Sequence, residues 1–333
     1  MKKAFLYLFL LASLGSSAQS TEQSAQESAR AFMRSGDFDN AVIVLTRALQ
    51  ADGGNLELQK DLALSYYYKR NYAKSLEVAE KMLDRNDADI QVYQISGNVY
   101  KALEEVKAAE KLYKKALKKF PRSGALYSEY GELLWANQEP EAIQLWEKGI
   151  KEDPSFAGNY YNAALYYHKT KDKVWSLVYG EIFVNMESLT ERAAAMKGLL
   201  LEGYKEKLFA DADLLAGTEK KGEFAKAYLQ TMNKQTSLLA KGISADMLTA
   251  LRTRFILDWY KSYGSRFSFR LFDYHQQLIR EGMFEAYNQW LFGTVENLPA
   301  YDIWTKTHPQ AHSKFIQFQQ NRVFKMPAGQ YYQ

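Results

Sequence analysis

Between Glu22 and about Ser188, small and large apolar residues return every 34 positions, separated by polar stretches. The series runs from Gly36 to Ala41, Ala48 and Leu49, then Ser75, Met82 and Leu83. It continues through Gly97, Tyr100, Ala109, Ala116, Leu117 and Pro121, and again through Gly131, Ala142, Trp146 and Pro154. A period of this length describes stacked helix pairs, none of which can bury its apolar face without a neighbour. Small residues let paired helices cross closely and aromatics fill the space beside them. Proline near the end of a period stops the second helix, because it lacks the amide proton that a helix needs. The expected class is all-α, and its natural use is an extended binding surface.

Aligned by offset, the first repeat (22–55) supplies Ala29, Phe32, Phe38, Ala41, Leu45 and Ala48. The second, from Leu56, has Ala63, Tyr66, Tyr72, Ser75, Ala79 and Met82. The third, from Ile90, has Tyr93, Gly97, Tyr100, Ala109, Tyr113, Ala116 and Pro121. A fourth from Gly124, one residue short in its inner turn, has Tyr127, Gly131, Leu134, Ala142, Trp146, Gly149 and Pro154. The fifth, from Ala157, is weaker: Tyr160, Ala164, Tyr167 and Ser176, with Gly180 where a large residue belongs.

These offsets resemble the tetratricopeptide repeat (TPR) family over about half the chain. The resemblance implies a right-handed superhelical solenoid over residues 19–188. It also implies a concave groove lined by the first helix of each repeat. Carried across residue by residue, the groove would present Gln94, Asn98 and Lys101 from the third repeat. The fourth would add Ser128, Glu132 and Trp135, and the fifth Tyr161, His168 and Lys169, with Asn162 beside that row. Such a mixture of polar and aromatic groups suits a protein partner offering an extended segment. Family members that grip a chaperone's C-terminal carboxylate use Lys and Asn at the positions held here by Gln26 and Arg30, and Asn where this chain has Asp61. That clamp is not expected.

Residues 189–333 read as a divergent, all-helical region. Ser188 to Glu191 has capping-box spacing and opens a helix to about Phe209. A loop from Asp211 to Gly222 precedes a helix from Glu223 to Lys241, and Ser244 starts another that ends near Gly264. Arg266 to Phe272 alternates and reads as an extended segment or a helix entry. A degenerate helical hairpin falls near 273–293, where Ala286, Trp290, Gly293 and Pro299 echo Ala142, Trp146, Gly149 and Pro154. His308-Pro309 opens a capping helix near 309–322, since proline suits a first helical position. The tail from Met326 to Gln333 is expected to be irregular.

Composition changes the picture at the N-terminus. Lys2 and Lys3 precede the apolar run Ala4 to Leu14 and then Gly15-Ser-Ser-Ala18, the pattern of a bacterial signal peptide. Cleavage near Ala18 would leave a chain of net charge near +2, periplasmic or secreted, whereas the full sequence carries +4. The sequence contains 0 cysteines, which removes disulfides, thiolate metal sites and a lipid-bearing N-terminal cysteine.

Candidate chemistry is thin. No phosphate-binding glycine loop or nucleophile elbow occurs, and His308 and His312 lack the glutamate of a zincin motif. No enzyme activity, cofactor, metal or nucleic acid is expected. Most of Lys107, Lys111, Lys114, Lys115, Lys118 and Lys119 share one helix face, read as a solvated convex surface balanced by Glu104, Glu105 and Glu110, with contact to anionic lipid or phosphorylated glycan at the envelope as the alternative. Aromatics reach 19 of the last 79 residues, which a dense capping core explains. The principal expectation is a protein-interaction scaffold in the cell envelope. The alternatives are a glycan-binding accessory protein using the C-terminal aromatics, or a cryptic hydrolase. A resemblance in principle to TPR-containing sugar-binding lipoproteins supports the former, but their lipid-bearing cysteine is missing here.

Overall fold

A computed structural model describes residues 25–170, 172–210 and 213–333. The leader expected over residues 1–18 and its cleavage site lie outside the described residues. Every regular element among the described residues is helical. The chain divides into two compact units, Met1–Pro121 and Arg122–Gln333.

The first unit holds α1 (25–34), α2 (Phe38–Ala51), α3 (Leu56–Tyr68), α4 (Tyr72–Leu83), α5 (Ile90–Ala102) and α6 (Val106–Lys119). Each helix pairs with its sequence neighbour, as the 34-residue period requires. Helix starts are set by short polar side chains. Asp37, Asn55, Asn71 and Asp89 each accept a hydrogen bond from a backbone amide three residues on. Each such cap stabilises a helix by about 1 kcal/mol. Ala29, Ala41, Leu45, Leu58 and Leu62 form the packed seam of the first two repeats.

The turns joining the two helices of a pair are built alike. Gly36, Arg70, Glu104 and Gln138 all have positive φ, at 79°, 60°, 59° and 62°. They stand 34 residues apart, and only the first is glycine. After each one the next amide closes back on the helix: Asp37 to Phe32 O, Asn71 to Tyr66 O, Glu105 to Tyr100 O and Glu139 to Leu134 O, all at 2.9 Å. This is a Schellman closure, in which one left-handed residue satisfies the last carbonyls of a helix. The periodicity is therefore a backbone property as well as a side-chain one.

The second unit opens with the pairs α7 (Gly124–Ala136) and α8 (Ala142–Glu152), then α9 (Ala157–Lys169) and α10 (Lys173–Met186). Close approach is real at the small positions. A Cβ on Gly131 would lie 2.3 Å from Trp146 Nε1, and one on Gly149 would lie 2.3 Å from Asn159 Nδ2. Gly180, anomalous in the sequence, faces Met196 and Leu200 of the next helix, where a Cβ would lie 2.9 Å from sulfur. The missing large residue makes room for α11 (Glu191–Glu202), which continues through a π turn, Gly203–Leu208.

Beyond it come α12 (Glu223–Asn233), α13 (Ala245–Ser262), α14 (Arg270–Arg280) and α15 (Phe284–Asn288). A π turn, Gln289–Gly293, links α15 to α16 (Thr294–Glu296), followed by α17 (Leu298–Thr307) and α18 (Pro309–Gln320). The α14–α15 pair is the expected hairpin. Gly282 has φ 70°, and Met283 N closes on Leu278 O at 2.8 Å, as in the repeats. Carbonyl groups released by the second π turn find other donors: Lys197 Nζ bonds Trp290 O at 2.9 Å and sits 3.7 Å above its ring. Burial there pulls the Lys197 ammonium down to about 7.

Four expectations need correction. Thr190, not Ser188, caps α11, because its hydroxyl accepts from Ala193 N at 3.2 Å. The helix from Glu223 ends at Asn233, and Thr236–Lys241 is a separate 3-10 turn. Pro299 follows α16 by three residues but lies inside the first turn of α17, behind the Asn297 cap, where its missing amide costs nothing, whereas Pro154 lies outside any helix. The helix α17 itself was not anticipated.

The C-terminal aromatics form the core of this region. Phe224 touches Trp259, Phe267, Phe269 and Phe272 at centroid distances of 4.9 to 5.9 Å. The tail is irregular, as expected, yet packed. Tyr332 stacks on Phe224 at 5.1 Å and 7°, and its hydroxyl donates to Ser268 O at 2.8 Å. Gln330 accepts from Arg270 N at 2.6 Å.

Candidate partner-binding surface

In the second unit the candidate groove residues converge. Spacings of four and three put Ser128, Glu132 and Trp135 on one face of α7. Asn162 on α9 donates to Ser128 Oγ at 3.1 Å and to Glu132 Oε1 at 3.0 Å, while Ser128 Oγ donates to the same carboxylate oxygen at 3.1 Å. Glu132 is exposed, with both of these bonds on one carboxylate oxygen. Trp135 is 38% exposed. Its edge meets Trp146 at 6.0 Å and Tyr166 at 5.4 Å, and Lys169 Nζ lies 5.1 Å from its ring centre. The indole is thus braced yet open, next to one anchored carboxylate and one cation.

The neighbouring candidates serve α10 and α11 instead. Tyr161 packs on Phe183 at 4.8 Å, with the Arg192 guanidinium 5.0 Å from its ring. His168 Nε2 lies 3.1 Å from Glu202 Oε1. Tyr166, Arg192 and Glu202 were not singled out in the sequence. Tyr166 falls at no signature offset, and the other two lie on a helix beyond the clear repeats.

In the first unit Gln94, Asn98 and Lys101 share one half-buried face of α5. The first helices of the two preceding repeats, α1 and α3, carry an ion-pair ladder that the sequence did not reveal. Arg30 Nε reaches Asp61 at 2.8 Å and Arg30 Nη2 reaches Glu57 at 3.4 Å; Lys60 reaches Glu57 at 2.7 Å and Asp89 at 2.5 Å. Gln26 also donates to Asp61, at 3.0 Å. The positions that would form a carboxylate clamp are therefore paired with one another. Burial alone would lower the Lys60 ammonium, but Asp89 and Glu57 outweigh it and hold it above its ordinary range.

A second polar set lies sealed inside the second unit. Glu181 Oε1 receives Tyr287 OH at 2.6 Å and lies 2.8 Å from His275 Nε2; Arg252 completes an ion pair with the same carboxylate. Arg252 Nη1 also donates to Asn288 at 2.5 Å. Burial would raise the Glu181 carboxyl, but the Arg252 charge and the His275 contact bring it down to about 2. Burial likewise pushes the His275 imidazole down. The set resembles a catalytic group, yet the cavity beside it measures about 10 Å³, room for one water. It ties α10, α13, α14 and α15 together.

Glu147 forms the third set. Tyr167 and Tyr179 each donate to it at 2.9 Å, Tyr331 of the tail hydrogen-bonds it, and Gln333 Nε2 donates to Tyr167 OH at 2.9 Å. Burial raises its carboxyl to about 7 against those bonds.

His308 and His312 are aromatic partners: His308 stacks on Trp304 at 5.1 Å and 12°, and His312 lies edge-on to Tyr301 at 6.2 Å. No cluster of three metal-binding side chains occurs among the described residues. None of the described helices is long and apolar enough to cross a membrane.

The molecule is an all-helical repeat protein. The tetratricopeptide repeat profile matches residues 27–90 and 96–155, the stretch over which the helix pairs recur. Among solved structures, a thermophilic TPR protein of Thermus thermophilus aligns at 16% identity and TM-score 0.46, over 54% of this chain and 99% of that one. MamA of Desulfovibrio magneticus aligns at 13% identity and TM-score 0.40, over 51% and 97%. YrrB, described as a TPR protein with an unusual peptide-binding site, aligns at 19% identity and TM-score 0.37, over 52% and 90%. No curated protein matches the sequence.

Proposed function

We propose that this protein is a non-enzymatic interaction scaffold of the bacterial cell envelope, exported after cleavage near Ala18, whose α7–α9 face holds a segment of a protein partner. The observation that carries the reading is the braced, half-exposed Trp135 beside the Glu132–Asn162 pair. Tryptophan held rigid at a surface loses little entropy on binding and dominates interface energetics. Glu132 would accept a backbone amide or a basic side chain, and Lys169 would meet a carbonyl. Residues 1–18 support export, which N-terminal sequencing of the mature chain would check.

The test replaces Trp135 with a photo-crosslinking amino acid in cells, with Lys148 on α8 as the control position. The crosslinked protein is identified by mass spectrometry, and its segment is then titrated against purified wild type, Trp135→Ala and Asn162→Ala. We expect affinity to fall at least about tenfold for Trp135→Ala. Affinity unchanged in both variants removes this face from the account.

One observation favours a second reading, glycan binding. Tyr301, Trp304 and Ile303 line an open pocket of about 280 Å³ together with Asp246, Gln289 and Asn297. Aromatic and hydrogen-bonding groups lining one pocket suit a sugar ring. Retardation in polysaccharide affinity gels that Trp304→Ala abolishes would support it.

A further inference from the structure

The second helix of the third repeat, α6, has a face the fold leaves unused. Lys107, Lys111, Lys115 and Lys118 follow spacings of four and three, are exposed, and form no ion pair among the described residues. Their neighbour Lys114 is engaged by Glu110 at 2.7 Å. Lys119 turns away to the carbonyl oxygens of Ala88 and Asn86, at 2.8 and 3.5 Å. The lysine stems and Glu110 surround an open hollow of about 450 Å³. The sequence reading had Glu104, Glu105 and Glu110 balance this stripe, but only Glu110 takes one of its lysines. Like charges at these spacings repel along a helix, and no other carboxylate among the described residues forms an ion pair with these four.

We propose that this lysine face docks on an anionic lipid surface, held by charge alone. Ala109, Leu112, Tyr113 and Ala116 on the opposite side of α6 are buried, and no large apolar side chain of α6 is exposed. The helix therefore has nothing to insert among acyl chains, so attraction to headgroups must supply the affinity. From Lys107 to Lys118 the row spans about 16 Å, roughly two screening lengths at physiological salt, so its charges act as a patch. Lysines are compact hydrated charges without the fork of arginine, and no exposed aromatic stands among them. That composition suits a plane of headgroups better than a nucleic acid, which calls for stacking or base-edge contacts. The proposal does not depend on the α7–α9 face.

The experiment sediments the whole protein with vesicles of phosphatidylglycerol and phosphatidylcholine, and with phosphatidylcholine alone. We expect binding only to the anionic vesicles, weakening at least about tenfold between about 0.05 and 0.3 M salt. The variant Lys107→Gln/Lys111→Gln/Lys115→Gln/Lys118→Gln should lose binding by about tenfold or more, and the matching fourfold Lys→Arg variant should keep it. Lys74→Gln/Lys81→Gln on α4 should bind as wild type. Equal binding to neutral vesicles, persistence at high salt, undiminished binding by the glutamine variant, or capture on heparin without vesicle binding would each overturn the proposal.

Discussion

Gly131 lies against the edge of the Trp146 indole, so closely that a methyl group there would meet Nε1 at 2.3 Å. The same indole donates to Ser128 O at 3.2 Å, so it cannot swing aside without breaking a buried hydrogen bond. One repeat earlier, Gly97 stands in the same relation to Tyr113, where a methyl group would meet the hydroxyl oxygen at 2.2 Å. Gly131→Ala should therefore destabilise the chain by about 1–3 kcal/mol through overpacking, although alanine is the better helix former. Urea titration of the variant measures this. A stability equal to wild type would mean that the crossing is looser than described.

The left-handed turn residues predict the opposite effect. Arg70, Glu104 and Gln138 occupy a conformation that costs a residue with a side chain about 1–2 kcal/mol, of which glycine's larger unfolded-state entropy returns about half. Arg70→Gly, Glu104→Gly and Gln138→Gly should each raise stability by about 0.5 kcal/mol, and the triple variant by more than 1 kcal/mol. Matched alanine substitutions should bring no gain. Thermal melting of the two sets decides it, and equal melting temperatures would sink the idea.

Glu147 makes folding depend on pH. Its carboxyl is raised from 4.5 when free to about 7 when folded. Between those values the folded chain binds more protons than the unfolded chain, so stability falls as pH rises. The contribution is complete below 4.5 and lost through about 7. Glu147→Gln, neutral at every pH, should flatten this slope, as denaturant midpoints collected across the window would show. A parallel slope in the variant would place the titration elsewhere.

Arg252 and Glu181 should behave as a coupled pair. Arg252→Met strands a buried carboxylate and should cost about 3–5 kcal/mol. Adding Glu181→Gln should recover part of that loss, because the second change removes the stranded charge. A double-mutant cycle in urea measures the coupling, and strictly additive losses would show the ion pair to be dispensable. Acid weakens the same pair: the Glu181 carboxyl, free at 4.5 and folded at about 2, contributes above 4.5 and is lost as pH falls through 2.

The repeats could be read from the sequence because close packing admits few residues. Gly97, Gly131, Ala109 and Ala142 announce crossings, and Tyr113 and Trp146 announce what fills them. The turn at Arg70 was opaque, since a left-handed backbone held by the Schellman closure leaves no mark when the residue is not glycine. Thr190 competed with Ser188 for one cap, and local spacing could not choose between hydroxyls two residues apart. The C-terminal core joined residues about a hundred positions apart, such as Glu181 and His275, which no periodicity connects. At the candidate face, Glu132 and Trp135 came from the groove positions that the family resemblance implies, with Asn162 beside them. Tyr166, which braces the indole, did not, because its role depends on a neighbouring helix.

Tyr332 works as a plug. Its ring is wedged between Phe224 and Phe267, so trimming even the last few residues would leave a greasy socket facing water and invite the molecules to clump. An affinity handle for purification is therefore better kept away from this tail.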